Sequence, residues 1–296
     1  MPAIISHYLQ AEKTLHLYLQ QGGIPVDKDA FFWGAQGPDF LFLQLSLPWR
    51  RTTGLRKIGQ RMHKENPTQL LGAMRDYVVR NSSDNTVRSY FLGFLCHYSF
   101  DRSAHPYVYA QVSALKKQYP HSKEQFLHSQ IETALDVILL RYERGELPTQ
   151  FNLKRAYPKN SAVQQAIAEF YASVLQQVYR KSISVQEILQ TERDCRFLTG
   201  LQNDRTGVKK RFFLSLEKKR GSVLLSCIFR GIMEDENFDY ANILSGEWSW
   251  PCSCPKKRTD SFFDLFEASV QESLMFLQKL SGQTDVESFF GPVPFS

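Results

Sequence analysis

The most constraining stretch of this chain is Gly93-Phe94-Leu95-Cys96-His97-Tyr98-Ser99-Phe100-Asp101-Arg102-Ser103-Ala104-His105-Pro106. His97, Asp101 and His105 stand four residues apart. On an α-helix four residues amount to about 40° of rotation and about 6 Å of rise, so neighbouring members share nearly one face. An imidazole and a carboxylate one turn apart are able to hold one divalent ion between them. His128-x-x-x-Glu132 repeats the arrangement. Each pair also has an ordinary reading: a buried His hydrogen-bonded to an Asp for the first, a solvated polar face for the second. Two such pairs in a chain of seven histidines suggest a cluster.

The rest of the chain carries the same period. Ile4, Ile5, Tyr8, Leu9, Leu15, Tyr18 and Leu19 fall at helical spacing, and Gly22-Gly23 ends that run. Asp29 to Trp33 predicts a short helix, broken by the loop Gly34-Ala35-Gln36-Gly37-Pro38-Asp39. Further helices are expected over roughly 54–64, 67–80, 85–104, 107–118, 122–144, 160–179, 184–199, 208–217, 222–233 and 260–281. Alternating β-branched runs bounded by turn dipeptides are missing, so no sheet is expected. The fold class is therefore all-α, a multi-helix bundle. A turn-rich stretch from Glu146 to Asn160 separates residues 1–145, which hold every candidate ligand, from a helical part over 146–296 expected to pack on the same domain.

Composition narrows the partners. Of 296 residues, 43% are hydrophobic and 22% charged, as in an ordinary globular protein, and the net charge of +6 favours anionic partners: phosphate esters, acidic lipid or nucleic acid. No segment offers the roughly 20 uninterrupted apolar residues of a membrane span. The richest candidate, Ala30 to Trp49, is cut by Gly34, Gly37, Pro38 and Asp39. The N-terminal residues lack a basic segment ahead of an apolar core, and the five cysteines are scattered apart from Cys252-Ser253-Cys254. Together these predict a cytoplasmic protein without a disulfide framework.

Other residues join the candidate cluster. Asp39 lies among Phe31, Phe32, Trp33 and Phe40, where a carboxylate is costly unless paired or bound to metal; it also precedes an apolar run and so reads as a helix N-cap. His63 near the end of a basic helix and His7 at the start of the first helix are each unremarkable alone. Pro106 biases His105 out of helical geometry and toward a second ion at a helix end. Asp136 continues the Glu132 face, with support of His128 as a weaker suggestion. His16 falls on the opposite side of its helix from His7, and His121, after Pro120, reads as a surface residue.

Taken in order, His7, Trp33-Gly34-Ala35-Gln36-Gly37-Pro38-Asp39, His63, Gly93-x-x-x-His97-Tyr98-x-x-Asp101, His105-Pro106 and His128-x-x-x-Glu132 resemble the zinc-dependent phospholipase C family, in its bacterial non-secreted branch. Trp248-Ser249-Trp250-Pro251, followed by Ser261-Phe262-Phe263-Asp264-Leu265-Phe266, is similar to that branch as well. The resemblance implies the phospholipase C/P1 nuclease-like fold with two or three Zn²⁺ ions in a cleft. It implies that Asp39, His63, His97 and Asp101 hold one zinc, that His105, His128 and Glu132 hold a second, and that Asp101 bridges to a third held partly by His7. Secreted relatives complete the third site with an N-terminal tryptophan, whereas this sequence begins Met1-Pro2. Asp101 and His105 also lie closer together than in the secreted enzymes. The implied activity is hydrolysis of a phospholipid or another phosphodiester by a metal-activated water, with Asp39 orienting or deprotonating that water. A peripheral membrane contact is compatible with the basic charge, and nucleic acid is disfavoured. The alternatives are a catalytically inactive metal-binding module and a P1-type nuclease on the same fold.

Overall fold

A computed structural model describes residues 3–44, 54–218, 223, 225–232, 237–249 and 256–281. Among them are ten α-helices: α1 (Ile4–Gln20), α2 (Lys28–Gly34), α3 (Leu55–Lys64), α4 (Thr68–Arg80), α5 (Asn85–Gln118), α6 (Glu124–Arg144), α7 (Ser161–Tyr179), α8 (Val185–Gln202), α9 (Val208–Lys218) and α10 (Phe262–Ser281). The described strands are one antiparallel pair, Trp248–Ser249 with Lys257–Arg258. The fold is all-α, as the periodicity predicts. Residues Trp250 to Pro255, including Cys252 and Cys254, lie outside the described residues.

Two expectations about helices fail. Pro106 does not end a helix; α5 runs for 34 residues straight through it. A proline in a helix interior removes one backbone hydrogen bond and crowds the carbonyl four residues before it. Here the following turn is anchored by burial of Tyr107 and Val108. Tyr107 packs edge-on against Trp248 at 5.4 Å and donates from its hydroxyl to the Tyr240 carbonyl at 2.5 Å. The second failure is the helix expected over 222–233. Its described residues form a single 3₁₀ turn, Ser226–Ile228, because side chains take the backbone groups a longer helix would pair. The Glu217 carboxylate accepts from Leu225 N and Ser226 N at 2.6 and 2.8 Å, and Thr133 Oγ1 donates to the Cys227 carbonyl at 3.0 Å.

The chain divides into two compact units. Unit one comprises Met1–Leu9, Ser103–Leu153 and Thr199–Ala268. Its polar anchor is Asp136, fully buried on α6. This carboxylate accepts from Ile5 N, Ser6 N and Ser6 Oγ at 3.3, 2.8 and 2.7 Å, which caps the first turn of α1 with negative charge. Arg230 donates to it from Nε and Nη2 at 2.8 and 2.6 Å and balances the buried charge. Both Asp136 oxygens are thus engaged by α1 and Arg230, which replaces the suggestion that Asp136 supports His128.

Unit two comprises Gln10–Arg102, Lys154–Leu198 and Ser269–Ser296. Here α2 lies directly on α5. A Cβ at Gly93 would collide with the Phe31 carbonyl, and one at Gly34 with the Tyr90 carbonyl, so the two glycines let the backbones touch. Around this contact sits an aromatic core. Trp33 meets Phe40 and Tyr90 edge-on at 5.6 and 5.5 Å, and Phe40 meets Tyr171 of α7 at 5.2 Å. Burying each such ring is worth roughly 1.5–3 kcal/mol, and the edge-on geometry adds to that. The consequence for the site is that the turn after α2, and Asp39 with it, is fixed against α5.

Candidate metal centres

In unit two, three elements converge. α3 brings His63, α5 brings His97 and Asp101, and the 3₁₀ turn Asp39–Leu43 brings Asp39. Ligand-capable atoms of His63, His97 and Asp101 all lie within 4.8 Å of one another. His97 Nε2 stands 3.2 Å from Asp101 Oδ2, the one-turn pair that the spacing predicts. His63 Nε2 stands 3.7 Å from the same oxygen and 3.0 Å from Asp39 Oδ1. Asp39 therefore turns its carboxylate to His63 and makes no side-chain cap; Pro38 holds the cap position without a side-chain bond. Burial pushes the Asp39 carboxyl up, but the hydrogen bond with His63 and the charges of His97 and His63 outweigh it and hold the group below its ordinary range.

The backbone supports this trio at two places. His63 Nδ1 donates to the Gly59 carbonyl one turn earlier, at 2.7 Å. Gly37, at φ +53°, lies flat against the His97 ring, where any Cβ would collide with it. The Gly37 carbonyl accepts from Tyr90 Oη at 3.4 Å, and Tyr90 Oη in turn pairs with Tyr171 Oη at 2.8 Å. Gly59 and Tyr90 were legible in principle, each one helical turn from a residue already singled out. Tyr171 was not, because 81 residues separate it from Tyr90.

Unit one holds a second trio. His105 on α5, with His128 and Glu132 on α6, places ligand-capable atoms within 4.8 Å of one another. His128 Nε2 is 3.1 Å from Glu132 Oε1, and His105 Nε2 is 3.8 Å from the same oxygen. Glu132 is buried, so this face of α6 is not a solvated one. Its carboxyl is held well below the usual range: burial opposes ionisation, and the charge of His128 and the hydrogen bonds of His105 and His128 outweigh it. Tyr109, one turn after His105, flanks both imidazoles with ring centroids 5.9 and 5.4 Å away. His7 is buried on α1 within unit one. His16 and His121 are exposed and join neither trio.

The donor set suits a borderline cation. Because His63 Nδ1 carries the proton it gives to Gly59, a neutral His63 presents a lone pair at Nε2 toward the oxygens of Asp39 and Asp101. Facing acceptors repel unless a proton or a cation lies between them. Imidazole and carboxylate donors together are the ligands of zinc sites, with the far ring nitrogen fixed by a backbone carbonyl as at Gly59. The zinc dependent phospholipase C family matches residues 1–181, a span that contains every residue of both trios, Asp39 and His7. The chain belongs to that family. No curated protein and no solved structure is matched by the chain. Family membership thus supplies zinc and a phospholipase-like function, and the two trios are groups whose donor atoms could hold a metal ion.

Proposed function

We propose that the protein is a zinc-dependent phosphodiester hydrolase of phospholipase C type. One observation carries the reading: two separate imidazole–carboxylate trios, each one turn of helix plus a third residue from another element, in a chain of this family. His63, His97 and Asp101 would hold one ion, and His105, His128 and Glu132 another. A role for His7 at a third ion is what the resemblance implies. Bound zinc supplies a water acidified to a pKa of roughly 7 and positive charge opposite the phosphate.

The chain's own residues do the rest. Gly59 and Gly37 fix the rings of His63 and His97, so that Nε2 of each is presented without rearrangement. Asp39 has an ionised carboxylate beside His63 and a side chain that is partly open to solvent. It orients the attacking water and takes its proton. The substrate class is a phospholipid or related phosphodiester, cleaved to release a phosphorylated headgroup.

The test is an assay of zinc-loaded protein on phosphatidylcholine and on a water-soluble chromogenic phosphodiester, alongside His97→Ala. Turnover of either substrate that disappears in His97→Ala, together with a loss of bound zinc, supports the reading. Full activity in the variant overturns it. Single-stranded DNA in the same panel separates this reading from a nuclease.

A further inference from the structure

The helix α9 is packed inside out. Its inward residues are Lys210, Phe213 and Glu217, while Val208, Phe212 and Leu216, spaced four apart on the opposite face, are 56%, 57% and 47% exposed. The inward contacts are specific. Lys210 Nζ donates to the Phe229 carbonyl at 2.8 Å, and Phe213 stacks on the Phe229 ring at 5.4 Å. Glu217 accepts from Leu225 N, Ser226 N and Ser226 Oγ. Burial pushes the Lys210 ammonium down to about 8, a measure of how unfavourable the charged group's position is. A helix free to rotate in water would turn these charges out and the three apolar side chains in.

The exposed stripe continues past the helix. Ile232 and Leu225 are themselves 43% and 49% exposed. Ile232 Cδ1 lies 3.6 Å from the Cβ position of Gly207, beside Val208, and Leu225 follows directly on the Glu217 contact. Positive charge borders both sides. Arg211 is exposed on one flank; Lys209 on the other reaches the Leu201 and Asn203 carbonyls at 2.8 and 3.1 Å. The sequence goes on as Lys219-Arg220, and the one acid of α9, Glu217, is turned inward. On the described outward face of α9, an apolar stripe with basic flanks and no acid is the pattern of a helix that lies in the interface of an anionic bilayer.

We propose that the outer face of α9, with Val208, Phe212 and Leu216 as the inserted residues, docks on membranes containing anionic phospholipid. The face lies outside residues 1–181 that define the family match, so it is a property of this chain's own C-terminal part. Lipid as the partner rests on the hydrolase reading and on charge complementarity: a neutral protein groove would be served by the apolar stripe but not by the cations that border it.

Sedimentation with vesicles of phosphatidylcholine, with and without phosphatidylglycerol, tests this. The protein is expected to bind the mixed vesicles more tightly and to lose that advantage at high salt. Phe212→Ser combined with Leu216→Ser should weaken binding to both by at least about tenfold. Arg211→Glu should weaken binding to the mixed vesicles alone, by roughly tenfold. Turnover of the soluble chromogenic phosphodiester, zinc content and melting temperature should not change in any of them. Arg211→Glu leaves the apolar stripe intact and still decides the matter if the double variant misfolds. Equal binding by parent and variants, or no preference for phosphatidylglycerol, overturns the proposal. So does a parent that self-associates in ultracentrifugation and is dispersed by the double variant, because the face would then belong to a second copy. Vesicle binding needs no turnover, so this proposal and the hydrolase reading fail by different experiments.

Discussion

The two trios share a motif and differ in enclosure. His63, His97 and Asp101 are all buried, whereas His105 and His128 are partly open to solvent and only Glu132 beside them is buried. Both are built from an i, i+4 pair and one residue of another element, so the motif is not what separates them. Packing is. In unit two the Gly37 turn is laid across the His97 ring and Phe42 sits 5.0 Å from the His63 ring. In unit one the described ring beside His105 and His128 is Tyr109, itself 38% exposed. One ligand pattern thus yields an enclosed pocket and a more accessible one.

The largest effect that follows is in metal release. Challenged with a chelator, zinc-loaded protein should lose its metal in two phases. The slower should trail by at least roughly tenfold, since an ion in the enclosed trio escapes only by local opening, and each 1.4 kcal/mol of opening is a factor of ten. His128→Ala should remove the fast phase and His97→Ala the slow one, each lowering bound zinc by about one equivalent. A single phase, or the phases exchanged between the two variants, would break the comparison.

A smaller effect sharpens it by disturbing only one side. Gly37→Ala combines positive φ for a residue with a Cβ and a collision with the His97 ring. The expected loss of stability is about 3 kcal/mol, read from denaturant unfolding. The slow phase of zinc release should accelerate while the fast phase is unchanged. A matching change in both phases would mean that the two trios respond as one.

The i, i+4 pairs were legible because both partners lie on one helix and helical period is a local property. His97 with Asp101, and His128 with Glu132, needed nothing beyond the sequence. What joins them to His63 and His105 is tertiary, and there the resemblance rather than the period supplied the grouping. Pro106 misled because its local preference opposes helix, yet a 34-residue helix with buried Tyr107 and Val108 just beyond it outweighs one missing bond. Over 222–233 apolar spacing suggested a helix, but Glu217 and Thr133 hold the backbone in a single turn. Asp136 reads from sequence as one more acid on the Glu132 face. Its partners, Ser6 and Arg230, are 130 and 94 residues away, and no local rule finds them. The turned-out face of α9 was equally hidden. Lys209, Lys210 and Arg211 stand in sequence as one basic run, and only the bond from Lys210 to the Phe229 carbonyl shows that Lys210 faces inward.

The smallest effect concerns a group that touches neither trio. Glu192 on α8 is buried within unit two, with Arg196 Nε 3.6 Å away, and burial raises its carboxyl to about 7 against 4.5 when unfolded. The folded state therefore binds the proton more tightly than the unfolded chain does. Its contribution is fully present below about pH 4.5 and is lost as pH rises through 7. Glu192→Gln keeps the shape and removes the titration, so it should stabilise the protein at pH 8 by about 2 kcal/mol and leave it unchanged near pH 4. Denaturant midpoints across that range read the difference. The variant also isolates the enclosed trio, since whatever pH dependence of unfolding unit two retains without Glu192 then includes that of the ligand carboxylates. Equal stabilisation at both ends of the range would show that Glu192 acts through packing and that its charge is already accommodated when folded.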